Sequence, residues 1–73
     1  MAQIIIDNKI RHGKPTIVGT RITVDDVLGW LGSGMAYEDI EREYRISKEE
    51  ILAVIHYASS IVRGEEVVEK AVA

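Results

Sequence analysis

The spacing of apolar residues changes once along this chain, and the change divides it into two regions. Before residue 23 the apolar positions come as β-branched clusters, Ile4-Ile5-Ile6 and Thr16-Ile17-Val18, on either side of a polar, turn-rich interval from Asp7 to Pro15. Such clusters predict two short strands or extended arms, with the β-branched side chains favouring the pleated backbone. Pro15 removes a backbone donor and pushes Lys14 toward extended geometry, so it suits the start of an edge strand. An isolated two-stranded hairpin is marginal in water, so these arms need the helices or another chain to cover them.

From Val24 onward the spacing becomes helical. Val24, Val27, Leu28 and Leu31 follow the i, i+3, i+4, i+7 stripe, with Thr23 as N-cap and Asp25 and Asp26 near the positive end of the helix dipole. Gly32-Ser33-Gly34 supplies the stop. Trp30 lies off this stripe and reads either as a rim residue covering the core or as an anchor for a partner. A second helix is expected from about Tyr37 to Tyr44, with Tyr37, Ile40 and Tyr44 on one face and charged residues on the other. Ser47-Lys48-Glu49-Glu50 has the form of a capping box, so a third helix starts near Lys48. Its expected buried face is Ile51, Val54, Ile55, Ala58 and Val62, and Gly64 ends it. Residues Glu65 to Ala73 fit a helix continuation, a short strand at Val67-Val68, or a tail that orders on binding. The expected fold is therefore mainly α: a three-helix, helix-turn-helix domain with a short N-terminal β-hairpin or β arms. One domain covers 1–73, with arms over 1–22, a trihelical core over 23–63 and a tail over 64–73.

Composition adds constraints. A chain of 73 residues buries only about 60% of the surface that its unfolded form exposes, so the core is small and self-association would reinforce it. With no cysteine there is neither a disulfide framework nor a thiolate metal site. The apolar stretches are too short to span a bilayer, and the start lacks a cationic, apolar secretory signal, so a cytoplasmic protein without membrane contact is expected. Charge is unevenly placed. Lys9, Arg11, Lys14 and Arg21 against Asp7 give residues 1–21 a net charge of +3, whereas residues 22–73 carry -6. Contact with phosphate would start from the N-terminal segment, because the helical body repels nucleic acid.

The chemistry points away from catalysis. His12 and His56 are far apart and no metal-ligand spacing surrounds either; no nucleophile is set by a recognisable motif, and no cofactor is expected. Gly13-Lys14 and Gly19-Thr20-Arg21 bring amides, cations and a hydroxyl together, but they flank a β-branched run and do not lead into a helix as a phosphate-binding loop does. Mechanically, Gly13 and Gly19 permit tight bends and Thr20 caps a turn. Arg21 either pairs with Asp25 or Asp26 or faces a partner. The second and third helices have helix-turn-helix proportions, which leaves two readings open: a purely structural bundle, or DNA contact through the third helix. Lys48 would attract phosphates there while Glu49 and Glu50 would repel them. The candidate partner-binding or nucleic-acid-binding residues are Arg11, Lys14, Thr20, Arg21 and Lys48.

The run His12-Gly13-Lys14-Pro15-Thr16-Ile17-Val18-Gly19-Thr20-Arg21-Ile22 resembles the signature of the bacterial and archaeal family known as domain of unknown function 433, whose members are regarded as VapB-like antitoxins. Val24, Gly34 and the segment Ile51 to Ala58 match as well, with Val54 in place of the family's alanine. The chain departs from the pattern at Thr23, where many members have proline, and at Ala36, where a Ser or Thr cap is usual. Tyr44-Arg45-Ile46-Ser47 also lacks a proline and one residue. The resemblance implies a helix-turn-helix domain, often dimeric, that acts as the antitoxin half of a toxin-antitoxin pair beside a PIN-like ribonuclease. The leading expectation is a non-enzymatic homodimer that neutralises such a toxin and represses its own operon by binding operator DNA. The alternative is a stand-alone DNA-binding transcriptional regulator.

Overall fold

The computed structural model describes residues 2–64. Two strands and three α-helices follow in order: strand β1 (Ile4–Ile5), strand β2 (Thr16–Ile17), and helices α1 (Val24–Gly32), α2 (Tyr37–Tyr44) and α3 (Lys48–Val62), with a single turn at Arg11–Gly13 between the strands. The protein is thus mainly α, with a small N-terminal hairpin. Each strand is one residue shorter than its β-branched cluster, although the Val18 amide still donates across to the Gln3 carbonyl at 2.9 Å. The strands pair antiparallel, Ile4 opposite Ile17 and Ile5 opposite Thr16. The residues expected to form the C-terminal tail after Gly64 lie outside the described part.

β2 is paired on both sides. On the side away from β1 a bridge joins Thr16 to Thr23; the Ile17 amide donates to the Ile22 carbonyl at 2.9 Å and the Val24 amide to the Pro15 carbonyl at 2.9 Å. The second contact takes up one of the amides that a helix start leaves without an intrahelical acceptor. Thr23 completes the start of α1: its hydroxyl accepts from the Asp26 amide at 2.9 Å, and the Asp26 carboxylate accepts from the Thr23 amide at 3.0 Å. A proline at position 23 would forfeit that last bond.

The core is formed by Ile17 from β2, Val24 and Val27 from α1, Ile40 from α2, Ile46 from the inter-helix turn, and Ile51 and Val54 from α3. Ile4, Ile22, Trp30, Leu31, Met35, Tyr37, Ile55 and Tyr57 pack partly buried around it. Three positions of the expected stripes, Leu28, Ala58 and Val62, fall outside. Leu28 is 38% exposed and Val62 is 85% exposed. Leu28 lies one position after the fully buried Val27 on α1, and Val62 is the last residue of α3. Trp30 takes the rim position: its ring stacks face to face on Tyr44, with centroids 3.6 Å apart and planes within 2°, tying α1 to α2.

The helix-turn-helix connection uses a left-handed residue. Arg45 has φ 60° and ψ 38°, and its amide donates to the Glu41 carbonyl, closing α2. Ile46 then drops into the core and Ser47 starts α3 with the expected capping box, its amide donating to Glu50 at 2.7 Å and its hydroxyl accepting from the Glu50 amide at 3.1 Å. Gly64, at φ +80°, follows the end of α3 as expected. Among the described residues no helix is long and apolar enough to cross a membrane.

At the start of α2, Ala36 offers no side-chain acceptor, and Asp39 compensates from within the helix. Its carboxylate accepts from Arg42 at 2.7 Å and from the Ala36 amide at 3.3 Å, and these bonds hold its pKa below the ordinary carboxylate value. A lowered folded-state pKa means that this group's contribution is fully present above the unfolded value and is lost as pH falls through the folded one. Asp39→Asn is therefore expected to flatten the acid side of the curve of urea-unfolding midpoint against pH, with little change in its shape near neutrality. A variant curve as steep in acid as the wild type would show that Asp39 has no such part.

Candidate partner-binding site

The signature run forms a turn mounted on the start of α1. Thr16 and Ile17 are both buried, and beyond them the Thr20 amide donates to the Ile17 carbonyl at 3.0 Å. Gly19 stands at the third position of this turn with φ +84°, the left-handed geometry a type II turn requires there. The Thr20 hydroxyl donates to the Ile17 carbonyl at 2.9 Å and accepts from the Ile22 amide at 2.9 Å. That oxygen therefore fixes the turn. Arg21 is left exposed at the tip.

The interval from Asp7 to Lys14 folds back beside this tip. Asp7 starts it: its carboxylate accepts from the Lys9 amide and its carbonyl from the Ile10 amide, each at 2.8 Å. Arg11, His12 and Gly13 then form a left-handed turn, with φ 49°, 59° and 81°. Left-handed geometry costs a non-glycine residue roughly 1–2 kcal/mol. The turn is held by the Gly13 amide on the Ile10 carbonyl, by the Lys14 amide on the Arg11 carbonyl, and by the Arg11 guanidinium 4.0 Å from the Asp26 carboxylate. Two cationic loops thus meet. Lys9 and Ile10 face Gly19, Thr20 and Arg21 across a cleft of about 410 Å³.

The five candidates separate accordingly. Thr20 and Arg21 line the cleft; Arg11 is directed to α1, and Lys14 is exposed outside the cleft lining. Asp26 takes Arg11 as its ion-pair partner, while Arg21 has no ion pair among the described residues, so the reading in which Arg21 pairs with Asp25 or Asp26 is replaced. Lys48 sits apart, exposed on the first turn of α3. Beside it Glu49 and Glu50 line a separate groove of about 360 Å³ with Ala2, Gln3, Val18 and Ser47. The end of α3 that would enter a DNA groove thus has an acidic border. Lys9 and Ile10 are the cleft residues that sequence reasoning passed over; the only signal for Lys9 was its share of the N-terminal positive charge.

His12 is exposed in the left-handed turn, and His56 is exposed on α3 beside Leu52 and Tyr57. Among the described residues no three His, Cys, Asp or Glu side chains come close enough to hold a metal ion.

A family model described as "Protein of unknown function (DUF433)" matches residues 4–58. The chain belongs to the DUF433 family. The matched region runs from β1 to Ala58, one turn before the end of α3, so it contains the cleft, the left-handed turn and the connection between α2 and α3. No curated protein and no solved structure matches the chain.

Within this DUF433 chain, backbone geometry separates glycines that shape the site from one that does not. An added Cβ would meet nothing within 4 Å at either Gly19 or Gly29, but Gly19 has positive φ whereas Gly29 lies inside α1. Gly19→Ala is expected to destabilise the fold by about 1–2 kcal/mol, and Gly29→Ala to stabilise it by about 1 kcal/mol, in urea unfolding. Equal effects at the two positions would contradict the turn geometry.

Proposed function

We propose that this chain is a non-enzymatic, antitoxin-like module that self-associates as a homodimer and neutralises a PIN-like ribonuclease. The observation that carries the reading is the presentation of Arg21, an exposed guanidinium without an ion pair among the described residues, on a turn fixed by Gly19 and Thr20. A guanidinium binds carboxylates through two parallel hydrogen bonds, and the metal site of a nuclease of this kind is built from carboxylates. Arg21 and Lys14 reaching into that cluster would compete with the metal for it, while the protein body shields the entrance from RNA. Arg11 acts by holding the loop to α1. Self-association is supported by the small core, by the outer edge of β1, unpaired among the described residues, and by exposed apolar side chains at Ile5, Ile6, Val18 and Leu52.

A second reading, a stand-alone DNA-binding transcriptional regulator, is favoured by one feature: α2, the short Arg45-Ile46 connection and α3 have helix-turn-helix proportions. Opposed to it are the carboxylates Glu49 and Glu50 at the leading end of α3. We rank it second, and under it DNA would meet the cationic loops before the helix.

Co-expression with the nuclease encoded in the adjacent reading frame, followed by pull-down and an RNA-cleavage assay, tests the first reading. Stable co-purification with loss of cleavage is expected, and Arg21→Ala is expected to restore cleavage at least partly. A fully active nuclease in the presence of the wild-type chain would reject inhibition. For the second reading, mobility shifts across a salt series should lose affinity steeply if phosphate contacts dominate, and binding that ignores salt would remove that reading.

A further inference from the structure

We propose that the cleft between Lys9-Ile10 and Gly19-Thr20-Arg21 is a docking site for an acidic protein segment, which sets a carboxylate against Lys9 and Arg21 and an apolar neighbour against Ile10. This rests on the reading of the chain as a protein-binding module and names the site and chemistry of the contact.

Four features converge on the cleft. Lys9 and Arg21 both line it, and neither has an ion-pair partner among the described residues, whereas Arg11 and Arg42 each have one. The amides of Gly19 and Arg21 have no acceptor among the described residues, which leaves two backbone donors on the same turn as the guanidinium. The turn is fixed beforehand by the internal bonds of Thr20, so little ordering remains when a ligand arrives. Ile10, half-buried, supplies an apolar wall next to the charges. A volume of about 410 Å³ lies in the range of pockets that accept small ligands or a few side chains.

Charge selects a carboxylate-bearing protein over nucleic acid. A phosphodiester backbone gains affinity from many cations laid along its path, and each contact adds to the release of counterions. The cleft offers two cations, and next to the same turn the Val18 groove bears Glu49 and Glu50. Residues 22–73 add a net charge of -6, which repels a long polyanion far more than a short acidic segment. The apolar wall at Ile10 also has no counterpart in a sugar-phosphate chain but matches the mixed side chains of a peptide.

The test is an NMR titration of the full ¹⁵N-labelled chain with three probes: a short synthetic peptide carrying adjacent Asp and Leu residues, inorganic phosphate, and a random-sequence DNA duplex. The peptide is expected to shift the amide signals of Lys9, Ile10, Gly19 and Arg21, and its Asn-for-Asp analogue is expected to leave them unmoved. The exposed double variant Lys9→Gln/Arg21→Gln, with an unchanged spectrum elsewhere, should bind the peptide about tenfold more weakly. Peptide shifts centred on another surface, equal affinity in the double variant, phosphate reproducing the same shifts at the same concentration, or a duplex binding the cleft more tightly than the peptide would each overturn the proposal. The nuclease assay separates the two levels. A double variant that inhibits the nuclease as well as the wild type would remove the cleft and leave the inhibitor reading standing. A wild-type chain that fails to inhibit while the peptide maps to the cleft would do the reverse.

Discussion

The structure depends on the backbone pairing that joins Pro15, Thr16 and Ile17 to Ile22, Thr23 and Val24. This ladder is short, but it places the buried strand residues Thr16 and Ile17 directly beside the first turn of α1. Through it the Pro15 carbonyl serves a helix-start amide, Ile17 enters the helical core, and the four residues between are forced into a tight turn. A two-stranded hairpin of this size would not persist alone. Here it persists because one of its strands continues into a capped helix. The position of Arg21 follows directly: it is exposed, but its backbone is set by residues buried on either side.

The helices supply the mount, and their stability is largely a matter of their ends. α1 and α3 start with reciprocal caps, Thr23 with Asp26 and Ser47 with Glu50, while α2 makes do with Asp39 reaching back to Ala36. Each cap satisfies amides that would otherwise have no partner, which is worth about 1 kcal/mol apiece and matters in a chain with so small a core. The stack of Trp30 on Tyr44 ties α2 to α1, and the insertion of Ile46 anchors the turn that leads into α3. The family match spans the arms and all but the last turn of α3.

Much of this was legible in the sequence, for local reasons. Ser47-Lys48-Glu49-Glu50 declares its capping box because both partners lie three residues apart, and Gly19 and Gly64 mark left-handed backbone because they lack a Cβ. Helix limits at Tyr37 and Tyr44 follow from the polar run between them. What stayed hidden depends on contacts distant in sequence. Leu28 and Val62 fit their stripes, but which edge of a stripe is covered depends on where the neighbouring helix crosses. The left-handed turn at Arg11 and His12 has only Gly13 as a sign, because two ordinary side chains adopt a conformation that local preference opposes. The same turn sends Arg11 to Asp26, leaves Arg21 free of that carboxylate, and brings Lys9 to the cleft; none of these three results can be read from charge spacing.

The claim beneath all of this is that the cationic turn is rigid because it is continuous with the folded core. Native-state hydrogen exchange tests it most directly, by comparing the amides of Ile17, Thr20, Ile22 and Val24 with those of Ile51 and Val54 in α3. The account predicts that all six exchange with nearly the same free energy of opening, as one cooperative unit. Amides of the turn that exchange freely while α3 remains protected would show an arm merely resting on the helices, and would contradict it.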